Sequence, residues 1–207
     1  MNLTSNEITA IAKFIDPIFT QYASTYSFEK YPPEDYERYK SVFSRKTGEN
    51  DEIHAALVWK WGHIGKNNFP SKQKELIDKV NTLWPEYVQS GCENAKSSFE
   101  WWRLQLPGTA YITAAYLTHL VHHFEPVPII DQHNFRAMNG LIKAIRSTHE
   151  ATKVPKNWQD IANLRDFMSA LLLHLRGRSS GELDRFLMMY GRSIKVRKSK
   201  NSTGNLS

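Results

Sequence analysis

The spacing of apolar residues is the feature of this sequence that most constrains its fold. Apolar side chains recur every three or four positions along most of the chain, as Ile8, Ile11, Phe14, Ile15 and Ile18 do near the start. This spacing places them on one face of an α-helix. No segment shows a convincing alternation of apolar and polar residues, the pattern typical of half-buried strands. The sequence therefore predicts an all-α fold.

Proline, glycine and polar runs divide the chain into helical segments. We expect Pro17 to interrupt the first segment, and Ser71 to cap the helix that follows the loop GHIGKNNFP, residues 62–70. The predicted helices cover residues 5–24, 34–44, 52–61, 71–88, 93–105, 111–123, 132–149, 157–175 and 181–190. Residues 1–193 are expected to form one helical domain, and the basic, polar residues 194–207 to be a disordered tail.

The net charge and the cysteine content narrow the classes of partner and cofactor. A net charge of +6 suits a polyanionic partner, because Lys and Arg neutralise phosphates. Cys92 is the single cysteine, which excludes an internal disulfide and a cysteine-rich zinc or iron–sulfur site. The first residues show no signal-peptide pattern, and no apolar run is long enough to cross a bilayer. We therefore expect a cytoplasmic, nucleoid or nuclear protein with no membrane partner.

The first candidate motif for nucleic-acid binding is Leu106-Pro107-Gly108, between two helical segments. Proline ends the preceding helix, and glycine allows a tight turn. The next helix then begins with free backbone N–H groups, which bind phosphate oxygens readily. The segment resembles the helix–hairpin–helix element with which DNA repair proteins hold one strand's backbone, although Ala110 replaces the second glycine of the usual LPGVG hairpin.

The second motif is Asp131, which follows an apolar extended run and begins a helix in PIIDQHNFRAMNGL, residues 128–141. This segment resembles the PxVDTHVxR segment of the endonuclease III-like DNA glycosylases, the helix–hairpin–helix superfamily. His133 and Arg136 match the positions that follow the aspartate of that family. Gly108 precedes Asp131 by 23 residues, close to the spacing in the family.

A third motif lies downstream, in LDRFLMMYGRSIK, residues 183–195. It resembles the WLILHGR ending of a helix in the same superfamily, with Gly191 and Arg192 on the matching positions. The iron–sulfur cysteines that follow in some members are replaced by KVRKSK, so no cluster is expected. The resemblance covers about residues 99–193.

The resemblance implies two helical lobes, with the hairpin at about residues 99–123 and a DNA-binding, active-site cleft between the lobes. Asp131 would lie beside a flipped nucleotide and stabilise the positive charge on the deoxyribose as the N-glycosidic bond breaks, and it could also position or deprotonate the attacking water. Ile112 occupies the position of the lysine that lyase members use. The implied activity is therefore a monofunctional glycosylase without β-lyase activity, unless another lysine such as Lys60 or Lys66 substitutes.

The other candidate site residues fall into two groups. Flat apolar side chains are candidates for the walls of a base pocket, although each could instead pack in the core; they are Trp59, Trp61, Trp101, Tyr111 and Ile112. The candidates for contact with the DNA backbone are Leu106, Gly108, Ala110, Thr113, Lys66, Arg136 and Arg192. The resemblance implies a monomer that binds double-stranded DNA and needs no cofactor, except that backbone carbonyls of the hairpin could hold a monovalent cation.

Three alternatives remain open at this point. Asp131 could serve only as a helix N-cap, in a non-catalytic DNA-binding module on the same scaffold. The chain could also be a helical interaction protein with no role on nucleic acid. Finally, His119 and His123 have an i, i+4 spacing that could ligate a metal, but no third ligand with suitable spacing accompanies them, so no metal site is predicted.

Overall fold

A computed structural model describes residues 3–66, 70–151 and 154–194. These residues form α-helices and connecting loops, and none of them is in a β-strand, which confirms the all-α prediction. The helices are α1 (Ser5–Ile15), α2 (Phe19–Ala23), α3 (Pro33–Ser44), α4 (Asn50–Lys60), α5 (Ser71–Gln89), α6 (Ala95–Gln105), α7 (Tyr111–Val121), α8 (Gln132–Ile145), α9 (Trp158–Leu172) and α10 (Ser180–Ser193). The predicted tail lies outside the described residues from residue 195 onward.

The helix boundaries follow the local signals in most places. Pro17 lies in a 3₁₀ turn, Asp16–Ile18, that separates α1 from α2, as predicted. The prediction that Ser71 caps α5 is wrong, because Ser71 is the first residue of the helix and Pro70 occupies the N-cap position without a side-chain cap. α8 ends at Ile145, earlier than predicted, because Arg146 is extended and its guanidinium binds the Glu7 carboxylate, with Nη2 2.7 Å from Oε2.

Helix α7 lies at the centre of the fold. All of its residues except Ile112 are buried, so the helix is covered on every side. It contacts α3 on one side and α6 on another. A helix that is apolar all round must be surrounded by other elements. α7 therefore lies in the core, between the first half of the chain and the hairpin region.

Helices α8 and α10 pack closely because of Gly191. A Cβ atom at this position would lie 1.9 Å from the backbone oxygen of His133, so any larger residue would collide with the first turn of α8. The close approach brings Asp184, two helical turns before Gly191 on α10, towards Asp131 at the N-terminus of α8. The nearness of the two carboxyl groups thus depends on this contact.

The turn between α6 and α7 differs from its prediction in one respect. Gly108 was expected to supply conformational freedom, but its φ is outside the left-handed region and a Cβ there would meet no atom within 4 Å. The turn closes instead through the Ala110 N–H, which donates to the Pro107 oxygen at 2.8 Å. Leu106 and Ala110 are buried under the turn. Among the described helices, none combines the length and the apolar character needed to cross a membrane.

Candidate functional site

Two adjacent spaces lie among α3, α4, α10 and the segment that leads into α8. The larger, which we call the aromatic cavity, has a volume of about 340 Å³ and includes Tyr36 among its walls. The smaller, which we call the carboxylate recess, has a volume of about 30 Å³ and is lined in part by Lys60 and Asp131. The residues that line both spaces are Tyr26, Tyr31, Trp59, Ile129 and Asp184. A group that fills the aromatic cavity would therefore contact the same walls that enclose the recess.

Stacked aromatic rings form one wall of the aromatic cavity. Trp59 stacks on Tyr36 with ring centroids 5.4 Å apart and planes 14° apart. Trp59 also stacks on Tyr116, with ring centroids 6.1 Å apart, and it meets Tyr31 edge-on, with ring centroids 5.5 Å apart. The indole Nε1 of Trp59 donates to the Pro32 oxygen at 3.0 Å, which fixes the ring plane. The wall is flat, and it includes Trp59, one of the residues that the sequence offered as a base-pocket candidate.

His119 supports this wall through both of its ring nitrogens. Its Nδ1 lies 2.6 Å from the Val127 oxygen and its Nε2 is hydrogen-bonded to the Tyr36 hydroxyl. Burial lowers the pKa of His119 to about 4, so the ring is neutral at pH 7. The described part of the chain holds no cluster of three or more His, Cys, Asp or Glu that could bind a metal ion.

Asp131 is the N-cap of α8 and lines the carboxylate recess. Its Oδ1 accepts from the backbone N–H groups of His133 at 2.6 Å and Asn134 at 2.9 Å. The Asn134 Oδ1 in turn accepts from the Asp131 N–H at 2.8 Å, which completes a capping box. Asp131 is thus held in one orientation beside the recess, and its predicted capping role is confirmed.

Lys60 and Asp184 share the recess with Asp131. Burial lowers the pKa of the Lys60 ammonium, and the two carboxyl groups act in the opposite direction. Burial raises the pKa of Asp184 to about 6, and the charge of Asp131 adds to the effect. The Asp184 Oδ1 also accepts from the Asn134 Nδ2 at 3.1 Å. Titratable groups with shifted pKa values that line the same cavity are typical of functional sites.

Two predicted DNA-contact residues brace the walls of this site. The Arg192 Nη2 donates to the Tyr31 hydroxyl at 3.3 Å, so an exposed arginine holds one of the aromatic walls. The Arg136 Nη1 donates to the Gly191 oxygen at 3.2 Å, across the contact between α8 and α10. These contacts give both arginines a structural role near the recess.

The other predicted base-pocket residues do not join Asp131. Trp61 and Ile112 line a separate space of about 500 Å³ between α5 and the α6–α7 turn, which we call the hairpin cavity. Tyr111 is buried, and its hydroxyl donates to the Asn157 oxygen at 3.0 Å. Trp101 packs edge-on against Trp102 with ring centroids 4.8 Å apart. The structure therefore places Trp61 and Ile112 at the hairpin cavity and packs Tyr111 and Trp101 against other residues, so none of the four lines the recess beside Asp131.

The hairpin residues divide into buried and exposed ones. Leu106, Ala110 and Thr113 are buried and present little surface to a DNA strand, whereas Gly108 and Lys66 are exposed. The Gly108 oxygen accepts from the Arg103 Nη1 at 3.1 Å, so one of the hairpin carbonyls that were candidates for holding a cation already has a hydrogen-bond donor. Helix α7 begins at Tyr111 without a side-chain cap, so the N-terminus of the helix keeps the features of an anion site.

Sequence reasoning missed Tyr26, Tyr31, Tyr36 and Asp184. Asp184 precedes Gly191 by seven residues, a spacing that places both on one helix face, and this spacing was the available signal. Tyr26 and Tyr31 lie in the loop before α3, where no periodicity marks them, whereas Tyr36 lies on α3, where helical spacing does not reveal which cavity a side chain lines. Comparisons with protein-family models, with curated proteins and with solved structures give no match to this chain.

Proposed function

We propose that this protein is a DNA glycosylase, which cleaves the N-glycosidic bond of a nucleotide rotated out of the duplex and leaves an abasic site. The observation that carries the proposal is the position of Asp131, an oriented carboxyl group on the wall of a recess that is also lined by the aromatic rings of Tyr26, Tyr31 and Trp59. An enzyme that acts on a base must take it out of the stack, and a base needs flat apolar walls to receive it.

The size and shape of the two spaces suit the parts of a nucleotide. The aromatic cavity of about 340 Å³ lies within the range of about 300–1,000 Å³ common for small-molecule sites. Trp59 and Tyr36 are already stacked on other rings, so a base would stack on an exposed ring of the lining such as that of Phe28, which would stabilise it by about 1–3 kcal/mol. The carboxylate recess of about 30 Å³ has room for a water molecule beside Asp131. In the proposed reaction this water is the attacking nucleophile.

Asp131 would act on the sugar. Loss of the base leaves positive charge on C1′ and the ring oxygen of the deoxyribose, and a fixed carboxylate stabilises that charge without reorganising in the transition state. The same carboxylate can accept a proton from the attacking water. The proposed reaction is a hydrolysis, so it requires no cofactor.

Binding to the DNA backbone would use the turn between α6 and α7. The N-terminus of α7 has no side-chain cap, and the side chains of Lys72 and Lys79 line the nearby hairpin cavity. The net charge of +6 favours a polyanion, and we propose duplex DNA held by a monomer in a cleft between two helical lobes. In this arrangement the hairpin holds a strand while the aromatic cavity receives the base.

The test compares wild type with Asp131→Asn on duplexes that each carry one altered base, such as uracil, hypoxanthine, 8-oxoguanine, 7-methylguanine or a mismatch. Alkali and heat then break the strand at abasic sites. Asparagine is as good an N-cap as aspartate, so the variant keeps the cap and loses only the charge. We expect wild type to excise at least one base and Asp131→Asn to be slower by at least about 10²-fold.

Asn94→Ala is the matched control, because it removes the side-chain cap of α6, which lines neither space of the candidate site. We expect this variant to lose about 1 kcal/mol of stability and to keep its excision rate. Tight duplex binding by wild type with no excision across the panel would instead identify a non-catalytic DNA-binding module. Absence of salt-dependent binding would favour an interaction protein without a role on DNA.

A second candidate activity is strand cleavage by β-elimination, and the position of Lys60 favours it. Ile112 offers no amine at the position that the family resemblance points to, but Lys60 brings one into the recess from α4. A buried amine with a lowered pKa can attack C1′ of an abasic site, release water and form an imine. Borohydride would reduce that imine to a stable cross-link. Cross-linking by wild type and not by Lys60→Met would establish this activity, and no cross-link would leave hydrolysis alone.

A further inference from the structure

Asp184 is a second carboxyl group at the site, and the proposed hydrolysis does not yet use it. It lies on α10 and lines both the aromatic cavity and the carboxylate recess. Asp131, by contrast, lines the recess and is not among the residues that line the aromatic cavity. The two carboxyl groups therefore face different parts of a bound nucleotide, with Asp184 exposed to the space that would hold the base.

Asn134 joins the two carboxyl groups and fixes their separate environments. Its Oδ1 accepts from the Asp131 N–H, and its Nδ2 donates to the Asp184 Oδ1 at 3.1 Å. Asp131 receives two backbone N–H donors at the N-terminus of α8. Asp184 has one amide donor in a buried position. When the environments of two neighbouring titratable groups differ in this way, one suits the role of a base or anion and the other that of an acid.

The charged and titratable groups around Asp184 affect its pKa and therefore the fraction of molecules in which it is protonated. Burial and the charge of Asp131 raise its pKa to about 6, and Lys60 and Arg185 act against them. Toward the aromatic cavity the titratable and charged side chains are Tyr26, Tyr31, Tyr36, Glu37, Lys40 and His119. A base that enters the cavity excludes water, and desolvation favours the neutral carboxylic acid further.

We propose that Asp184 is the general acid that protonates the departing base while Asp131 stabilises the sugar. This inference rests on the proposed glycosylase activity. The bond between C1′ and the base nitrogen breaks, and its electron pair goes to the base. The proton of the Asp184 carboxyl moves to a ring nitrogen or carbonyl oxygen of the base. Water adds its oxygen to C1′ and releases one proton to solvent. Asp184 then takes up one proton from solvent, so the reaction as a whole neither gains nor loses a proton.

The role of Asp184 identifies the class of base. A neutral base leaves as an anion unless it is protonated, so it gains from an acid at this position. An N-alkylated base is already cationic and leaves without one. The substrates of this site are therefore neutral bases, such as deaminated, oxidised or mismatched ones, and not cationic alkylated bases.

The test measures single-turnover excision by wild type, Asp184→Asn and Glu182→Gln across pH. Uracil, hypoxanthine and 8-oxoguanine serve as neutral probes, and 7-methylguanine serves as the cationic probe. Asparagine keeps an acceptor for the Asn134 amide and removes the proton donor. Glu182 lies on the same helix and is the matched control, since glutamine keeps its hydrogen bond to the Ser179 N–H.

We expect the wild-type rate for a neutral base to fall as pH rises through about 6, the pKa of Asp184. Asp184→Asn should slow that reaction by about 10²–10⁴-fold and remove this pH dependence. Glu182→Gln should follow wild type. Wild-type rates in Asp184→Asn, or excision of 7-methylguanine alone by wild type, would overturn the role of Asp184 while leaving the glycosylase proposal intact. If wild type excises no probe, both proposals fail.

Discussion

The aromatic cavity and the hairpin cavity both contain residues that the sequence marked as candidates for a base pocket, but they hold different chemical groups. The aromatic cavity, with its recess, collects stacked rings, Asp131, Asp184 and Lys60. The hairpin cavity is larger, about 500 Å³ against about 340 Å³, and is lined by lysines and aliphatic side chains around Ile112. Size therefore does not identify the site, and we assign chemistry to the first space and backbone contact to the second.

The largest contrast in stability should come from the tryptophans of the two cavities. Trp59 is buried in the stacked wall, whereas Trp61 is half-buried. We expect Trp59→Ala to lower the free energy of unfolding by about 3–5 kcal/mol, and Trp61→Ala by about 1 kcal/mol. Denaturant unfolding measures both values. Equal losses would show that the two walls are equally important to the core.

Substitution of the two motif glycines, Gly191 and Gly108, should also affect the free energy of unfolding to different extents. A Cβ at Gly191 would collide with the His133 oxygen at 1.9 Å, whereas a Cβ at Gly108 would meet nothing within 4 Å. Gly191→Ala should therefore cost about 3 kcal/mol and separate α8 from α10, while Gly108→Ala should be neutral or stabilising by up to about 1 kcal/mol. Thermal unfolding of the two variants gives the comparison. A neutral Gly191→Ala would mean that the contact between α8 and α10 is looser than described.

The effect of Asp184 on stability should depend on pH. Between about pH 4 and pH 6 the unfolded chain loses the Asp184 proton while the folded protein keeps it, since the folded pKa is about 6. The folded state then binds more protons, so stability falls as pH rises through this window. Asp184→Asn removes the penalty and should exceed wild type by about 2–3 kcal/mol above pH 6, with no difference below pH 4. A gap that does not change with pH would contradict the buried position of Asp184.

The smallest effect should come from the lysines of the hairpin cavity. Lys72 and Lys79 are exposed and line that cavity. If each neutralises one phosphate, replacing both with glutamine should lower the slope of log affinity against log salt by about 2 and leave single-turnover excision unchanged. Fluorescence anisotropy across a salt series measures the slope. A change in the excision rate with an unchanged slope would contradict this assignment, because it would place the hairpin cavity in the chemical step and not in contact with the DNA backbone.

Local signals in the sequence were sufficient for the helices and for one wall of the site. Apolar spacing predicted the helical segments, and the apolar run before Asp131 predicted its cap. Trp59 was identified as a base-pocket candidate from its type alone. These features depend on residues that are close in the chain, which is why sequence reasoning reaches them.

The rest of the site depends on contacts between distant segments. Asp184 lines the recess only because Gly191 allows α10 to approach α8, and periodicity on one helix does not reveal its partner. Tyr31 faces Trp59 from a loop that carries no helical pattern. Conversely, Tyr111 was expected at the pocket, but its hydroxyl donates to the backbone oxygen of Asn157, the N-cap of α9. Such pairings are set by the tertiary fold.

The most direct test of the role of Asp131 requires no knowledge of the substrate base. A duplex containing a cationic pyrrolidine in place of one nucleotide mimics the charged sugar of the transition state, and a neutral tetrahydrofuran site has the same shape without the charge. We expect wild type to bind the pyrrolidine duplex at least about tenfold more tightly, because a charge-assisted contact with Asp131 stabilises it by about 1.5–3 kcal/mol. Asp131→Asn should bind the two duplexes equally. A preference that survives in Asp131→Asn, or no preference in wild type, would contradict a catalytic role for this carboxylate.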